Sequence, residues 1–236
     1  LLILFNFSTV CADDVDNEVD FEDTIEVTAS NVSELPKTNS RRYIVYDRIS
    51  KSMIIGKNED VKSAMASTTK IMTTIVILEK ADLNEKVTVS AKAGGTGGSR
   101  LGLKRGDKAS VRDLLYGLML RSGNDAAVAL AEHVGGSVKG FAELMNEKAI
   151  ELGLTNTHFV TPHGLDDANH YTTALELAKL TDYAMDNETF AKIVGTKSTT
   201  IYINNQSRQI NNTNELLGVL NGVVGVKTGF TMLDDA

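Results

Sequence analysis

Three short clusters in this sequence carry residues that can do chemistry together: Ser67-x-x-Lys70, Ser122-Gly-Asn124 and Lys227-Thr228-Gly229. A serine hydroxyl is a poor nucleophile until a base takes its proton, and a lysine amine can be that base once burial or a second cation makes it neutral part of the time. Ser67 and Lys70 are one helical turn apart, so they share a helix face. A helix N-terminus beside Ser67 would add free N–H groups and positive potential for an oxyanion. Ser-x-x-Lys alone is weak, because a chain of this length yields about one chance match, and a helix cap followed by a solvated lysine is the plain alternative. A Lys-Thr-Gly triplet is expected by chance well under once. All three clusters in this order are strong evidence for chemistry on a serine.

Other chemistries find less support. The four histidines have no spacing that builds a triad, and there is no Gly-x-Ser-x-Gly elbow. His158, His163 and His170 near Asp166 and Asp167 could suggest a metal, but loop-wall or solvent roles are the reading taken, with no metal and no cofactor. Gly94-Gly-Thr-Gly-Gly98 lacks both the closing Lys-Ser/Thr and the preceding strand of a phosphate loop, and reads as a mobile loop near a site. The single Cys11 lies in an apolar start, Leu1 to Ala12, too short to span a bilayer and followed by an Ala-x-Ala-like pattern; it reads as the remnant of a secretory signal peptide. Cleavage there would leave no thiol, which excludes cysteine nucleophiles and implies export to the outer face of the cell envelope or beyond. Net charge is −7, but residues 13 to 36 hold nine carboxylates and no Lys or Arg, so the rest of the chain carries +2. That balance, with no Trp, gives no footprint for nucleic acid.

The elements that must position these residues follow from periodicity. Residues 13–40 are an acidic, disordered leader. From Arg41 the chain can bury a core: Tyr43–Asp47 and Ser52–Gly56 form a hairpin, and a helix with Ser67 in its first turn carries Ile71, Ile75 and Leu78. Val87–Val89 is a short strand, and Ser110-x-x-Asp113 caps a helix bearing Leu114, Leu115, Leu118 and Met119. Residues 121–125 interrupt it before a helix over 126–134. Further helices span about 137–152 and 173–186, separated by a long loop over 154–171. A second hairpin turns at Asn204-Asn205, and Gly222–Phe230 reads as a strand ending in Lys227 and Thr228.

Over roughly residues 41–231 the sequence resembles the low-molecular-mass penicillin-binding proteins that act as serine D-alanyl-D-alanine carboxypeptidases. The resemblance rests on the three motifs and on Ala66–Lys70, Leu120–Ala126, Gly153–Phe159 and His163-Gly-Leu165. It implies an α+β fold, a five-stranded antiparallel sheet flanked by helices plus an all-helical subdomain over about 90–190, here without its C-terminal strands and helix and without a membrane anchor. It implies that Ser67 is acylated, with Lys70 as base, and that Ser122 relays a proton to the departing D-Ala while Asn124 orients Lys70 and the substrate amide. Lys227, Thr228 and Gly229 would bind the terminal carboxylate, and the N–H groups of Ser67 and Phe230 would form the oxyanion hole. The implied partners are peptidoglycan stem peptides ending in D-Ala-D-Ala, with β-lactams as covalent inhibitors. Two alternatives remain open. A class A-like β-lactamase needs a carboxylate base, yet no Glu lies between Glu151 and Glu176, Glu176 falls in a helix, and only Asp166 or Asp167 remains. An inactive fragment or non-catalytic penicillin- or peptidoglycan-binding protein is the second.

Overall fold

The computed structural model describes residues 38–165 and 167–229. The signal-like start, nearly all of the acidic leader, Asp166 and Phe230 lie outside the described residues. The hub is helix α1 (Lys70–Lys80), in which Ile71, Met72, Ile75, Val76 and Ile77 are all buried. A helix apolar on every side must be surrounded, and α1 packs against α3 (Val111–Leu120), α4 (Asn124–Gly135), α5 (Val138–Glu151), α6 (Ala174–Met185) and α7 (Glu188–Val194). Its buried Thr74 donates to Lys70 O at 2.7 Å, and Thr73 donates to Pro162 O at 2.7 Å, which seats the 161–165 loop on the helix.

Ser67 does not sit in the first turn of this helix. Residues Ala66–Thr69 form a separate 3-10 turn, and the α-helix begins at Lys70. The cause is local: the Thr69 hydroxyl donates to Ala66 O at 2.7 Å and the Thr68 hydroxyl donates to Met65 O, so side chains take carbonyls that backbone N–H groups would otherwise compete for.

Strands β1 (Tyr43–Asp47) and β2 (Ser52–Lys57) form the expected hairpin, tied to α6 where Asp182 accepts from Arg48 Nε and Lys51 Nζ, both at 2.8 Å. A four-stranded antiparallel sheet runs β3 (Lys86–Thr88), β4 (Lys108–Ser110), β5 (Ser198–Ile203), β6 (Gln206–Asn211). Asn204 and Asn205 have φ of 53° and 61°, the two left-handed positions of a tight hairpin turn. Ile201, Ile203 and Ile210 face inward beneath α3, whereas Tyr202 is exposed. Among the described residues, therefore, the strands form a hairpin and a separate four-stranded sheet rather than one five-stranded sheet. The run over 222–229, read as a strand, belongs to neither sheet and makes a β-bridge only at Val223; side chains help anchor it, as where Asn214 Nδ2 donates to Gly225 O at 3.1 Å.

Helix caps follow the sequence: Ser110, Ser137 and Thr173 each accept the N–H of the residue three positions on. Three elements were not expected, namely α2 (Ala91–Gly95), β4 and α7. Helix α2 takes in Gly94 and Gly95, so the glycine-rich stretch is a loop only from Thr96 onward.

Buried Asp125 fixes that loop. Its carboxylate accepts from the N–H groups of Leu101 at 2.9 Å, Gly102 at 2.8 Å and Leu103 at 2.9 Å, and from its neighbour Ala126 at 2.9 Å. An isosteric Asp125→Asn change leaves one acceptor atom and turns an NH2 group toward buried donors. It should lower stability by about 3 kcal/mol in urea unfolding; an unchanged midpoint would show that the clamp contributes nothing.

Candidate active site

The 3-10 turn sets the nucleophile. Ala66 is held at φ +45°, a left-handed conformation that a residue with a Cβ enters only under constraint. Ser67, half-buried, follows it, and no described residue accepts the Ser67 N–H, which leaves that donor available for an oxyanion. Lys70 is fully buried, and its Nζ donates to Ser67 Oγ at 3.1 Å and to His163 O at 2.7 Å. Burial, and after it the charge of Lys227, hold the Lys70 amine well below the ordinary lysine range, with Asp125 pulling weakly the other way. A serine and a base of lowered pKa thus stand within hydrogen-bond reach, the arrangement an activated nucleophile requires.

The His163 carbonyl, absent from the sequence reading, comes from the 161–165 loop. Gly164 lets that loop approach: it has φ +84°, and a Cβ there would fall 1.7 Å from Ala66 O. The His163 ring accepts from Leu165 N at 3.1 Å, and burial, with Lys70 as the next cause, lowers its pKa to about 4, so the ring is neutral at physiological pH.

Ser122 has φ +56° between α3 and α4, and Asn124 opens α4. Both are buried, and among the described residues Ser122 Oγ and Asn124 Oδ1 have no hydrogen-bond partner. Unpaired buried polar atoms cost stability, so such pairs mark places where a ligand group or water completes the set. Asn124 Nδ2 donates to Gly97 O at 2.9 Å and its N–H donates to Ser99 O at 2.8 Å, so the glycine-rich loop is tied to this turn. Neither Ser122 nor Asn124 bonds to Lys70; the expected Asn124–Lys70 contact is replaced by the His163 carbonyl.

Lys227 closes the group. It is buried, its Nζ donates to Thr228 O at 2.8 Å, and burial lowers its pKa to about 8. Gly229 lies beside the nucleophile turn, where a Cβ would stand 3.4 Å from Thr68 Cγ2 and 3.7 Å from Ala66 Cβ. The Thr228 hydroxyl is 3.2 Å from that of Thr213.

Of the carboxylates weighed as a hydrolytic base, the two among the described residues, Glu176 and Asp167, make hydrogen bonds elsewhere. Glu176 accepts from Asn156 N at 2.9 Å and from the Thr157 hydroxyl at 2.5 Å. Exposed Asp167 accepts from Asn169 N at 2.8 Å.

An α+β domain that brings together a half-buried serine, a fully buried lysine of lowered pKa and a second buried lysine has the build of a DD-peptidase. Solved structures agree: the chain matches the crystal structure of a Streptomyces DD-transpeptidase with a TM-score of 0.75 and 37% identity, covering 81% of this chain and 79% of that one. It matches a D-alanyl-D-alanine carboxypeptidase from Mycobacterium tuberculosis with a TM-score of 0.81 and 35% identity, covering 86% and 77%. Residues 28–235 match the family described as D-alanyl-D-alanine carboxypeptidase, and the chain belongs to that family. Among curated relatives, the D-alanyl-D-alanine carboxypeptidase DacF of Bacillus subtilis is 38% identical over 194 residues, covering 80% of this chain and 50% of that protein. A Streptomyces D-alanyl-D-alanine carboxypeptidase is 41% identical over 191 residues, covering 73% and 66%. The chain thus spans about half to two thirds of the length of these relatives.

If Lys70 is the base, Lys70→Arg should abolish acylation although charge is kept, since a guanidinium does not give up its proton. Stopped-flow acylation by a chromogenic β-lactam should fall more than tenfold, a barrier rise above ~1.4 kcal/mol. A rate within tenfold of the parent would assign the base elsewhere.

Proposed function

We propose that this protein is a serine D-alanyl-D-alanine carboxypeptidase, which removes the terminal D-Ala of peptidoglycan stem peptides through an acyl-enzyme on Ser67, and which β-lactams acylate at the same atom. The observation that carries the reading is the Lys70 amine, buried, depressed in pKa and 3.1 Å from Ser67 Oγ. Lys70 takes the Ser67 proton as Oγ attacks the penultimate carbonyl, and the Ser67 N–H, with that of Phe230, receives the oxyanion. Collapse breaks the peptide bond, with Ser122 passing a proton to the leaving amine. Lys227 and Thr228 hold the carboxylate of the departing D-Ala, and Asn124, through its unpaired Oδ1, accepts from the substrate amide. Water then releases the shortened peptide.

The β-lactamase reading is weaker because Glu176 is buried and held by Asn156 N and the Thr157 hydroxyl, while Asp167 is exposed and accepts from Asn169 N. A peptidoglycan substrate and the signal-like start support a reading in which the enzyme acts outside the cytoplasm. No helix of the described residues is long and apolar enough to cross a membrane.

Two measurements test this reading. Fluorescent penicillin should label one peptide, containing Ser67, and a D-Ala-D-Ala peptide should release D-Ala; labelling that survives Ser67→Ala, or rapid turnover of a cephalosporin, would overturn it. The pH profile is the second. Lys70 must be neutral, so acylation efficiency rises with pH; Lys227 must be charged, so it falls as pH passes about 8. Lys227→Arg should remove the alkaline limb while leaving the acid limb in place. An alkaline limb that stays unmoved in this variant would deny Lys227 its role.

A further inference from the structure

His170 lies 101 residues from Thr69 in sequence and beside it in space, buried against the edge of Phe159. Its Nδ1 accepts from Val160 N at 2.9 Å, with Thr161 N more distant at 3.4 Å. Because Nδ1 accepts from a backbone donor, the ring hydrogen is on Nε2. Nε2 is 2.8 Å from Thr69 Oγ1, and that hydroxyl spends its own hydrogen on Ala66 O at 2.7 Å. The direction of each of these three bonds is therefore fixed: Val160 N–H to Nδ1, Nε2–H to Thr69 Oγ1, Thr69 O–H to Ala66 O.

The two ends of this chain meet the two partners of Lys70. At one end, Ala66 O belongs to the residue held at φ +45° directly before Ser67. At the other, Val160 and Thr161 begin the loop whose Pro162 O accepts from Thr73 and whose His163 O accepts from Lys70 Nζ. Gly164 of the same loop rests on Ala66 O, so the chain closes into a ring around the base. The flanks of His170 are held as well: Tyr171 exchanges both backbone bonds with His158, at 2.9 and 3.1 Å, and Thr172 does so with Ser63, at 2.8 and 3.1 Å. The ring is thus delivered to Thr69 from a rigid mount.

We propose that His170 is a positioning residue for acylation: through Thr69 it locks the Ser67 turn and the 160–165 loop to one another, and so fixes the distances from Lys70 Nζ to both of its partners. It touches no reacting atom. Its effect is on the alignment of the serine and its base, where displacements near 1 Å cost about 10²-fold in rate. The inference rests on the acyl-transfer reading of the site.

The test is a double-mutant cycle on the purified protein with His170→Gln and Thr69→Val, together with the conservative Thr69→Ser. Acylation by a chromogenic β-lactam is resolved into the acylation rate constant and the dissociation constant of the preceding complex, and intact mass gives the fraction competent to react. Each single variant should lose about 10²-fold in the rate constant of the competent fraction, with the dissociation constant within about threefold. Thr69→Ser, which keeps the hydroxyl, should recover most of the parent rate. The double variant should be no slower than the slower single variant, since one broken link opens the chain. Multiplicative losses, failure of Thr69→Ser to recover, or loss confined to thermal stability would each overturn the proposal. If the parent itself is not acylated, the acyl-transfer reading fails and the proposal with it; if the parent reacts and all variants match it, the proposal alone fails.

Discussion

Lys70 places an amine where water does not reach, with a hydroxyl and a carbonyl as its hydrogen-bond partners and no carboxylate within ion-pair distance among the described residues. A charged ammonium in that setting is costly, and burial lowers the pKa of the amine for that reason. Much of the neighbouring structure serves this condition. Helix α1 is wrapped by five others, which keeps its first residue dry. The second buried lysine adds positive potential instead of neutralising it. Asp125 acts against this but is occupied by backbone donors, so its charge is spread over the loop it clamps.

The same arrangement stores strain and unmet polarity. Ala66 and Ser122 occupy left-handed conformations, at φ +45° and +56°, without being glycine. Both flank the site, as do the unpaired Ser122 Oγ and Asn124 Oδ1. These features make no contribution to folding that the described contacts reveal, and they cluster in the turns that carry the first two of the three motifs. Surrounding packing holds them, from Gly164 beneath Ala66 O to the glycine-rich loop against Asn124.

The sequence was legible where chemistry and spacing coincide. Ser67 and Lys70 need one helical turn between them, and a 3-10 turn running into α1 delivers that proximity although the helix begins three residues later than expected. Caps such as Ser110 and Thr173 announce their helices because the signal is local. Helix α7 carried a similar signal in Asn187 and Glu188 that could have been found. Helix α2 defied propensity, two of its five residues being glycine, and β4 is three residues long, too short for any pattern. The carbonyl of His163 and the ring of His170 were beyond reach for another reason. Backbone oxygens leave no trace in residue type, and the Thr69–His170 bond joins positions about a hundred residues apart.

If Lys227 receives the substrate carboxylate, its pKa, lowered by burial to about 8, makes that recognition a proton-consuming event. A carboxylate arriving at Lys227 would favour the ammonium, so above about pH 8 the complex must draw a proton from solvent as it forms. The heat of binding would then vary with the ionisation enthalpy of the buffer, and affinity would decline by up to about tenfold for each further pH unit. Folding shows the mirror image. Between about 8 and 10.5 the unfolded chain keeps this proton while the native state has released it, so the unliganded protein gains stability with rising pH as its hold on anions weakens.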